Sequence, residues 1–428
     1  MEILLSISIA LCAGLLISRF VKPLKMPAVT GYLIAGILIG PYVLGRLGVD
    51  GLGFPTMARV KELGLMNDVA LGFIAFAIGN EFRLSQLRHT GKQALVIGIF
   101  QALVAALVVD VVLIALHFTL LRDALPLADA ITLGAIATAT APAATLMVVR
   151  QYKAKGKLTD LLLPIVAIDD AVGLIVFAVS FGVAKAMHLG QFDMTSIIVE
   201  PLVEITMSLL LGFVMGVVFS AVEKYFKSNS KRLSLSITFV IMTVSLAMME
   251  FDVGGVRIGF SSLLVCMMLG TVFCNECDFS EEIMEKTDRW TAPLFILFFV
   301  LSGAELELGV FSNLAVVGIG AAYIISRSFG KWFGASVSAK FMHCDPLIQE
   351  YLGITLLPQA GVALGMSVTV VNTLGETGAM VRNIVLFGVL IYELVGPTLT
   401  RIALTRAGDI TPKAEAMAAQ ADDEDQDE

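Results

Sequence analysis

Charged residues are scarce in this sequence. Asp, Glu, Lys and Arg make up 15% of the 428 residues, whereas hydrophobic residues make up 57%. Soluble domains carry roughly 25% charged residues, so the composition excludes an ordinary soluble enzyme or binding module. The shortage of charge instead predicts a protein that crosses a membrane several times, because helices in lipid are apolar over most of their surface.

Cysteine and histidine are also scarce, with five and four copies. Five cysteines in a chain of this length do not build a disulfide framework. Cys274 and Cys277 form one C-x-x-C, but no second pair and no nearby histidine completes the four ligands usual for structural zinc. The metalloprotease pattern H-E-x-x-H does not occur either. We therefore expect no metal site, no cofactor, no enzymatic activity and no nucleic-acid partner.

The sequence is rich in long apolar runs, most of them about 17–28 residues long and able to span a bilayer. Short loops join them, which predicts an all-α polytopic membrane protein with thirteen transmembrane helices. The tenth run, WTAPLFILFFVLSGA, is short for a span. The runs cover approximately residues 2–20, 27–44, 63–81, 94–117, 126–149, 158–186, 196–222, 233–249, 258–274, 290–304, 309–335, 348–371 and 380–404.

The positive charges favour one orientation of these spans. Most of the 29 Lys and Arg residues fall in the loops on one side of the thirteen-span scheme, and such loops face the cytoplasm. This bias predicts an outside N-terminus and a cytoplasmic C-terminus. We expect a membrane domain over residues 1–408. Residues 409–428 end in DDEDQDE and are expected to form an acidic, disordered cytoplasmic tail.

Two adjacent carboxylates lie inside the sixth run, LTDLLLPIVAIDDAVGLIVFAVSFGVAKA. Asp169 and Asp170 lie well inside this run, roughly 10–15 Å deep at about 1.5 Å per helical residue. Burying one charge at that depth costs about 2.5 kcal/mol or more, and two neighbouring carboxylates also repel each other. We therefore interpret the pair as a functional site that needs a cation or a bound proton, rather than as one structural partner and one acid facing loop water.

The eleventh run contains the two cations that no loop accounts for. Arg327 and Lys331 are four residues apart and therefore share one helix face. Lys331 is nearer the cytoplasmic end, where its ammonium could reach the interface. Arg327 is deeper and is not easily neutralised, so it needs an anion. We therefore favour Arg327 as the partner of Asp169 and keep Lys331 as the alternative.

Helix-breaking residues interrupt the fifth and twelfth runs. The fifth has Pro142 with Thr138 and Thr140 close by; the twelfth has LLPQAG, with Pro358. Broken helices are tolerated at membrane depth where the freed backbone groups line a cavity. With the seventh span as a linker, the chain divides into two inverted six-helix repeats in which the two broken helices correspond. Such a pair is typical of the binding site of a secondary transporter. The breakers in the twelfth run are Pro358, Gln359 and Gly361.

These stretches resemble the bacterial monovalent cation/proton antiporters of the second large cation:proton antiporter family, and within it the electrogenic sodium/proton exchangers. The resemblance covers roughly residues 1–405, and its most specific part is the double aspartate together with a basic residue in the eleventh span. It is carried by MPAVTGYLIAGILIGPYVLG, AFAIGNEFRLSQLR, ATATAPAAT, AIDDAVGLIVF, FFVLSGAELEL, SRSFGKWFGA and LLPQAGVALGMS.

The resemblance implies a homodimeric antiporter in a bacterial inner (plasma) membrane that exchanges Na⁺ for protons by alternating access, in an elevator-like motion. Core helices at about 94–186 and 309–404 would move against a scaffold of the remaining helices. Asp170 would be the shared cation and proton site, and Asp169 would pair with the basic residue of the eleventh helix. The cargo could also be K⁺ or Li⁺, and the alternative function is an electroneutral K⁺/H⁺ antiporter or K⁺ efflux system.

Residues near the break in the fifth run are the candidates for oxygen ligands of the cation. Hard cations prefer oxygen, so Asp170, the hydroxyls of Thr138 and Thr140, and carbonyls freed near Pro142 are the candidates. Glu393, in LIYELVGPTLT, is deep enough in the last run to be unusual. It is interpreted either as a hydrogen-bond partner in helix packing or as a second proton site.

Overall fold

The protein is described by a computed structural model that covers residues 2–21, 28–49, 51–80, 82–121, 124–141, 145, 148–149, 152–188, 199–249, 251–253, 256–306 and 308–411. Fifteen helices form the described part of the chain, so the predicted all-helical class is confirmed. Two three-residue strands, β1 (Phe251–Val253) and β2 (Val256–Ile258), add one antiparallel hairpin. The helices are α1 (Glu2–Val21), α2 (Ala28–Ile39), α3 (Met57–Lys61), α4 (Gly64–Asn80), α5 (Leu84–Thr119), α6 (Leu127–Ile136), α7 (Lys157–His188), α8 (Glu200–Glu223), α9 (Asn229–Ala247), α10 (Ser262–Glu276), α11 (Ser280–Ala304), α12 (Leu314–Phe341), α13 (Pro346–Thr355), α14 (Gly361–Leu374) and α15 (Ala379–Arg406).

Six helices of the described chain are long and apolar enough to cross a bilayer, namely α1, α5, α7, α8, α9 and α15. Another five, between 10 and 17 residues long, are apolar but short. A protein with this many apolar helices is membrane-embedded, as the composition predicts. The number thirteen stays a prediction, since several predicted spans are divided into shorter helices. The twelfth, for example, is divided between α13 and α14.

The chain divides into two compact units. The first contains residues 1–12, 36–89 and 174–305, and the second contains 13–35, 90–173 and 306–428. In the first unit α10 packs against α4 and α8 through aromatic side chains. The Phe219 and Phe273 rings are stacked at 4.3 Å between centroids, and Phe76 lies 5.9 Å from Phe273. Buried aromatic contacts of this kind account for the packing of three helices that carry few polar groups.

The C-x-x-C of the sequence belongs to the same unit. Cys277 follows α10, and burial raises the pKa of its thiol to about 11, whereas metal binding needs a thiolate. Its sulfur lies 3.6 Å from a carboxylate oxygen of Glu223. Glu223 in turn pairs with Arg232 at 2.6 Å, and the Arg232 guanidinium lies 4.4 Å from the centre of the Phe279 ring. The cluster ties the end of α8 to the start of α9.

The second unit contains most of α5, all of α6, α7 as far as Gly173, and α12 to α15. Helix α5 is interrupted at Gly91, whose φ of 78° is readily adopted only by glycine. Helix α13 packs against α12 and α15, and α14 also packs against α15. The side chain of Asp409, just after α15, accepts hydrogen bonds from the backbone N–H of Thr159 at 2.7 Å and from its hydroxyl at 2.8 Å. The end of α15 is thereby fastened to the first turn of the helix that carries Asp169 and Asp170.

Candidate functional site: a crossing of two broken helices

Two helices of the second unit are broken, and their breaks meet. Helix α6 ends at Ile136, and residues 137–141 are not helical. Helix α13 ends at Thr355, and residues 356–360 separate it from α14. The N–H of Ala141 donates to the carbonyl of Pro358 at 2.8 Å, so the two breaks are joined directly. Pro358 and Gln359 lie in the second break and Gly361 begins α14, whereas Pro142 lies outside the described residues.

Asp169 lies beside this crossing and is completely buried. Its Oδ2 accepts a bond of 2.5 Å from the Lys331 ammonium and a short contact from the Thr140 hydroxyl. Its Oδ1 accepts a bond of 2.6 Å from the Gln101 amide. One cation and two neutral donors therefore compensate the buried carboxylate. Asp170 is the next residue of α7, but its side chain lies outside the described residues, so its role stays a prediction.

The preference for Arg327 as the partner of Asp169 is wrong, because Lys331 forms the ion pair. The Lys331 side chain is 0% exposed. Besides the bond to Asp169, its ammonium donates hydrogen bonds to the carbonyl of Thr138 at 2.5 Å and to the hydroxyl of Thr140 at 2.9 Å. The prediction from depth requires an anion for the deeper cation. The carbonyl groups freed at the breaks are instead acceptors strong enough to hold a guanidinium.

Arg327 is held by those carbonyls. Its Nε donates to the oxygen of Ala137 at 3.0 Å and its Nη2 to that of Ala139 at 2.6 Å, both in the first break. Its Nη1 donates to Leu357 in the second break at 2.7 Å. The guanidinium carbon also lies 4.5 Å from the centre of the Tyr392 ring on α15, within the range of a cation–π contact.

Thr138 and Thr140 both reach the crossing, though in different ways. The Thr138 hydroxyl donates to the carbonyl of Ala135 at 2.6 Å, so at present only its backbone oxygen faces Lys331. The Thr140 hydroxyl contacts Lys331 and Asp169 directly. Helix α7 comes close to this segment at Gly173, where an added Cβ would lie 2.8 Å from the Thr138 hydroxyl oxygen. A glycine there lets the aspartate helix lie against the break.

Gln359 connects the two broken helices from the other side. Its amide nitrogen donates to the carbonyl of Ile136 at 3.0 Å and lies 3.0 Å from the Tyr323 hydroxyl. A neutral amide therefore satisfies the last carbonyl of α6. Tyr323 is one turn before Arg327 on α12 and is completely buried. Sequence reasoning named Gln359 only as a helix breaker and missed Tyr323.

Gln101 was also missed, although the sequence carries a signal for it. A glutamine inside an otherwise apolar span indicates a polar contact, as a carboxylate there does, because its amide needs hydrogen-bond partners. Its nitrogen is fixed by two acceptors, Asp169 Oδ1 at 2.6 Å and the carbonyl of Gly98 at 3.1 Å. The prediction of the site was based on the charges of Asp169 and Asp170, so it did not include the neutral Gln101 on α5.

Glu393 lies on α15 and is 1% exposed. Its Oε1 has no hydrogen-bond partner among the residues that the structure describes. A buried carboxyl without a partner is costly in its charged form. Within the described ranges, no group of three or more His, Cys, Asp or Glu side chains is arranged to hold a metal ion. The described part of the site contains one ion pair, a buried arginine, two glutamine amides, the Thr140 hydroxyl and backbone oxygens.

Two broken helices that meet at a buried charged site are typical of secondary transporters. The family model described as "Sodium/hydrogen exchanger, transmembrane" matches residues 7–406. The chain therefore belongs to the sodium/hydrogen exchanger family. It is a membrane cation/proton antiporter and not an enzyme.

Individual relatives have low sequence identity to this chain but match it over most of its length. The Na(+)/H(+) antiporter NhaS4 of Synechocystis sp. strain PCC 6803 is 24% identical over 411 residues, covering 90% of this chain and 94% of that protein. Cation/H(+) antiporter 17 of Arabidopsis thaliana is 24% identical over 369 residues, which are 83% of this chain but only 42% of the plant protein. Among solved structures, the sodium proton antiporter MjNhaP1 from Methanocaldococcus jannaschii matches with a TM-score of 0.73 at 16% identity, covering 95% of this chain and 99% of that one. At this low identity, the similarity to MjNhaP1 shows the fold alone.

Proposed function

We propose that this antiporter exchanges Na⁺ for protons and that Asp170 is the shared cation and proton site. The observation that carries the proposal is the position of the Lys331 ammonium. It contacts three oxygens, the carbonyl of Thr138, the hydroxyl of Thr140 and Oδ2 of Asp169. Oxygens of these kinds are the ligands that a small hard cation prefers. A Na⁺ ion that displaces the ammonium would find such ligands one residue from Asp170.

Competition at these oxygens is sufficient for coupling. A carboxylate is neutralised either by a proton or by a cation, so the two forms exclude each other. An empty, charged site is costly to carry across the barrier, and only loaded forms would cross. Opposite gradients of the two ions would therefore be coupled without any contact between the ions.

Lys331 as the partner of Asp169 favours electrogenic exchange. A buried lysine can lose its proton, whereas an arginine cannot. In the proposed cycle, binding of Na⁺ breaks the pair and Lys331 releases a proton in addition to that of Asp170. Two protons for one Na⁺ would move net charge. Glu393 is the second candidate for the additional proton, because it is buried and its Oε1 has no described partner.

We further propose that the second unit is the moving core of an elevator-like transporter. It contains most of the predicted core helices, including the two breaks and the ion pair. The first unit would belong to the scaffold and contribute to a homodimer interface. The protein would reside in a bacterial inner membrane with its N-terminus outside and its C-terminus in the cytoplasm, as the distribution of Lys and Arg favours.

The choice of cation is tested in vesicles that contain the purified protein and a pH-sensitive dye. Adding Na⁺, Li⁺ or K⁺ in turn should change the internal pH, with Na⁺ acting at the lowest concentration. A response to K⁺ alone would instead favour the alternative, a K⁺/H⁺ antiporter or K⁺ efflux system. No response to any of the three cations would contradict the proposal.

A further inference from the structure

Arg327 makes an unusual set of contacts for a cation at membrane depth. It is the largest completely buried side chain in the described part of the chain. All three of its nitrogens donate to backbone carbonyls, two in the first break and one in the second. No carboxylate whose side chain the structure describes lies within salt-bridge distance of it. Among the residues that the structure describes, the guanidinium therefore bridges two broken segments.

The carbonyls that Arg327 binds explain how a fixed positive charge is tolerated there. Ala137 lies at the C-terminal end of α6, and Leu357 follows the C-terminal end of α13. The C-terminal end of a helix carries a partial negative charge of about half an electron. Two such ends face one guanidinium, which cannot be deprotonated. Both helix ends therefore stabilise the positive charge of Arg327.

The two cations of α12 bind alternate carbonyls of the first break. The oxygens of Ala137 and Ala139 accept from Arg327, whereas the oxygen of Thr138 between them accepts from Lys331. Arg327 therefore holds the peptide groups before and after the one that carries the Thr138 oxygen. Between these two fixed neighbours, the Thr138 oxygen faces Lys331.

We propose that Arg327 is a positioning residue that holds the crossing together and turns the Thr138 carbonyl and the Thr140 hydroxyl toward the cation. The inference rests on the proposed function, because it concerns the ligands of the same site. It also removes three oxygens from the set of cation ligands. The carbonyls of Ala137, Ala139 and Leu357 are occupied by Arg327, so Thr138, Thr140 and the two aspartates stay as the candidate ligands.

The substitution Arg327→Lys separates positioning from charge. Lysine keeps the positive charge, but its ammonium is a single point on a flexible stem and cannot match three carbonyls in a planar fork. Arg232→Lys is the matched control, since Arg232 is also mostly buried but pairs with Glu223 in the first unit. A general cost of replacing a buried arginine would appear in both variants.

Hydrogen exchange tests the clamp without relying on transport. The N–H of Ala141 bonds to the carbonyl of Pro358 and reports on the contact between the two breaks. Arg327→Lys should accelerate its exchange at least about tenfold, as expected for the loss of bonds to a charged group, together with amides in residues 135–141 and 356–361. Arg232→Lys should leave these segments unchanged. Unchanged exchange in the Arg327 variant would overturn the proposal even if the wild type transported no cation at all.

Transport kinetics test the consequence for the site, with whichever cation the wild type exchanges. We expect Arg327→Lys to raise the KM for that cation at least about tenfold while the maximal rate falls less, because the ligands are displaced but the carboxylates remain. Arg232→Lys should keep the wild-type KM. If Arg327→Lys lowers only the melting temperature and keeps the wild-type KM, Arg327 has a structural role and the proposal is wrong. A wild type that responds to no cation would instead contradict the proposed function.

Discussion

The Nζ atom of Lys331 lies 2.5 Å from Oδ2 of Asp169, and both side chains are completely buried. Two opposite charges out of water stabilise each other only while both are present. The pair therefore joins α12 to α7 for as long as no cation or proton displaces it. Its position beside two joined helix breaks makes it the element on which transport should depend most.

Removing Lys331 should destabilise the protein through the carboxylate that it leaves behind. We expect Lys331→Ala to lower the free energy of unfolding by about 3–5 kcal/mol, the usual cost of breaking a buried pair. Adding Asp169→Asn should recover much of this loss, since a neutral amide needs no cation. Thermal melts of purified protein measure both effects, and Lys340→Ala, at an exposed site on the same helix, should have little effect. Equal melts for the single and double variants would argue against the pair.

Replacing Asp170 tests the proposed cation site. Asp170→Asn keeps the size of the side chain and removes its charge, so we expect loss of exchange with a melting temperature near that of the wild type. Asp160→Asn, at an exposed position in the first turn of the same helix, serves as the control and should transport normally. Vesicles containing Asp170→Asn that still exchange cations for protons would exclude Asp170 as the shared site.

Gln101 should matter although it carries no charge. Gln101→Met keeps the volume but removes the donor to Oδ1 of Asp169. A buried charged group that loses a hydrogen bond costs about 1–3 kcal/mol, so we expect a lower melting temperature and slower exchange. Gln93→Met changes an exposed residue of the same helix and should leave transport unaffected. Normal rates in the Gln101 variant would mean that Lys331 and Thr140 are sufficient to hold Asp169.

Asp409 should stabilise the start of the aspartate helix. Its carboxylate caps α7 from the end of α15, through the N–H and the hydroxyl of Thr159. We expect Asp409→Ala to cost about 0.5–2 kcal/mol, the range for lost helix caps. Asp409→Asn keeps an acceptor oxygen and should cost less. Melting curves that do not distinguish these two variants from the wild type would show that the cap is energetically unimportant.

Glu393 is tested by the number of protons exchanged per cation. If Glu393 carries the additional proton, Glu393→Gln should lower the ratio and reduce the voltage dependence of exchange. If it only packs against neighbouring helices, the ratio should stay at the wild-type value while stability changes. The ratio is measured from the cation gradient that just balances an imposed pH gradient at known voltage.

The helical class and the location of the breaks could be predicted from sequence because they depend on local properties. Long apolar runs specify helices in lipid, and Pro358 with Gly361 interrupts one of them wherever it lies. The same holds for the cost of burying Asp169, which follows from its place in its own span. None of these predictions depends on which helices are neighbours in the fold.

The partner of Asp169 could not be predicted in this way. Arg327 and Lys331 share a helix face, and spacing alone allows either to reach the carboxylate. The choice depends on where the carbonyls of Ala137, Ala139 and Leu357 lie, and these belong to two other helices. Gln101 was missed for the same reason, since its importance comes from a contact between α5 and α7.

The most direct test of the central claim is proton movement driven by Na⁺ in vesicles, with the membrane voltage either clamped at zero or left free. A Lys331–Asp169 pair that releases a proton of its own predicts net charge movement, so exchange should be faster under the clamp and should follow an imposed voltage. The Lys331→Arg variant should lose this voltage dependence, because an arginine keeps its proton. Exchange in the wild type that is independent of voltage would contradict the account and favour an electroneutral exchanger in which the pair is only structural.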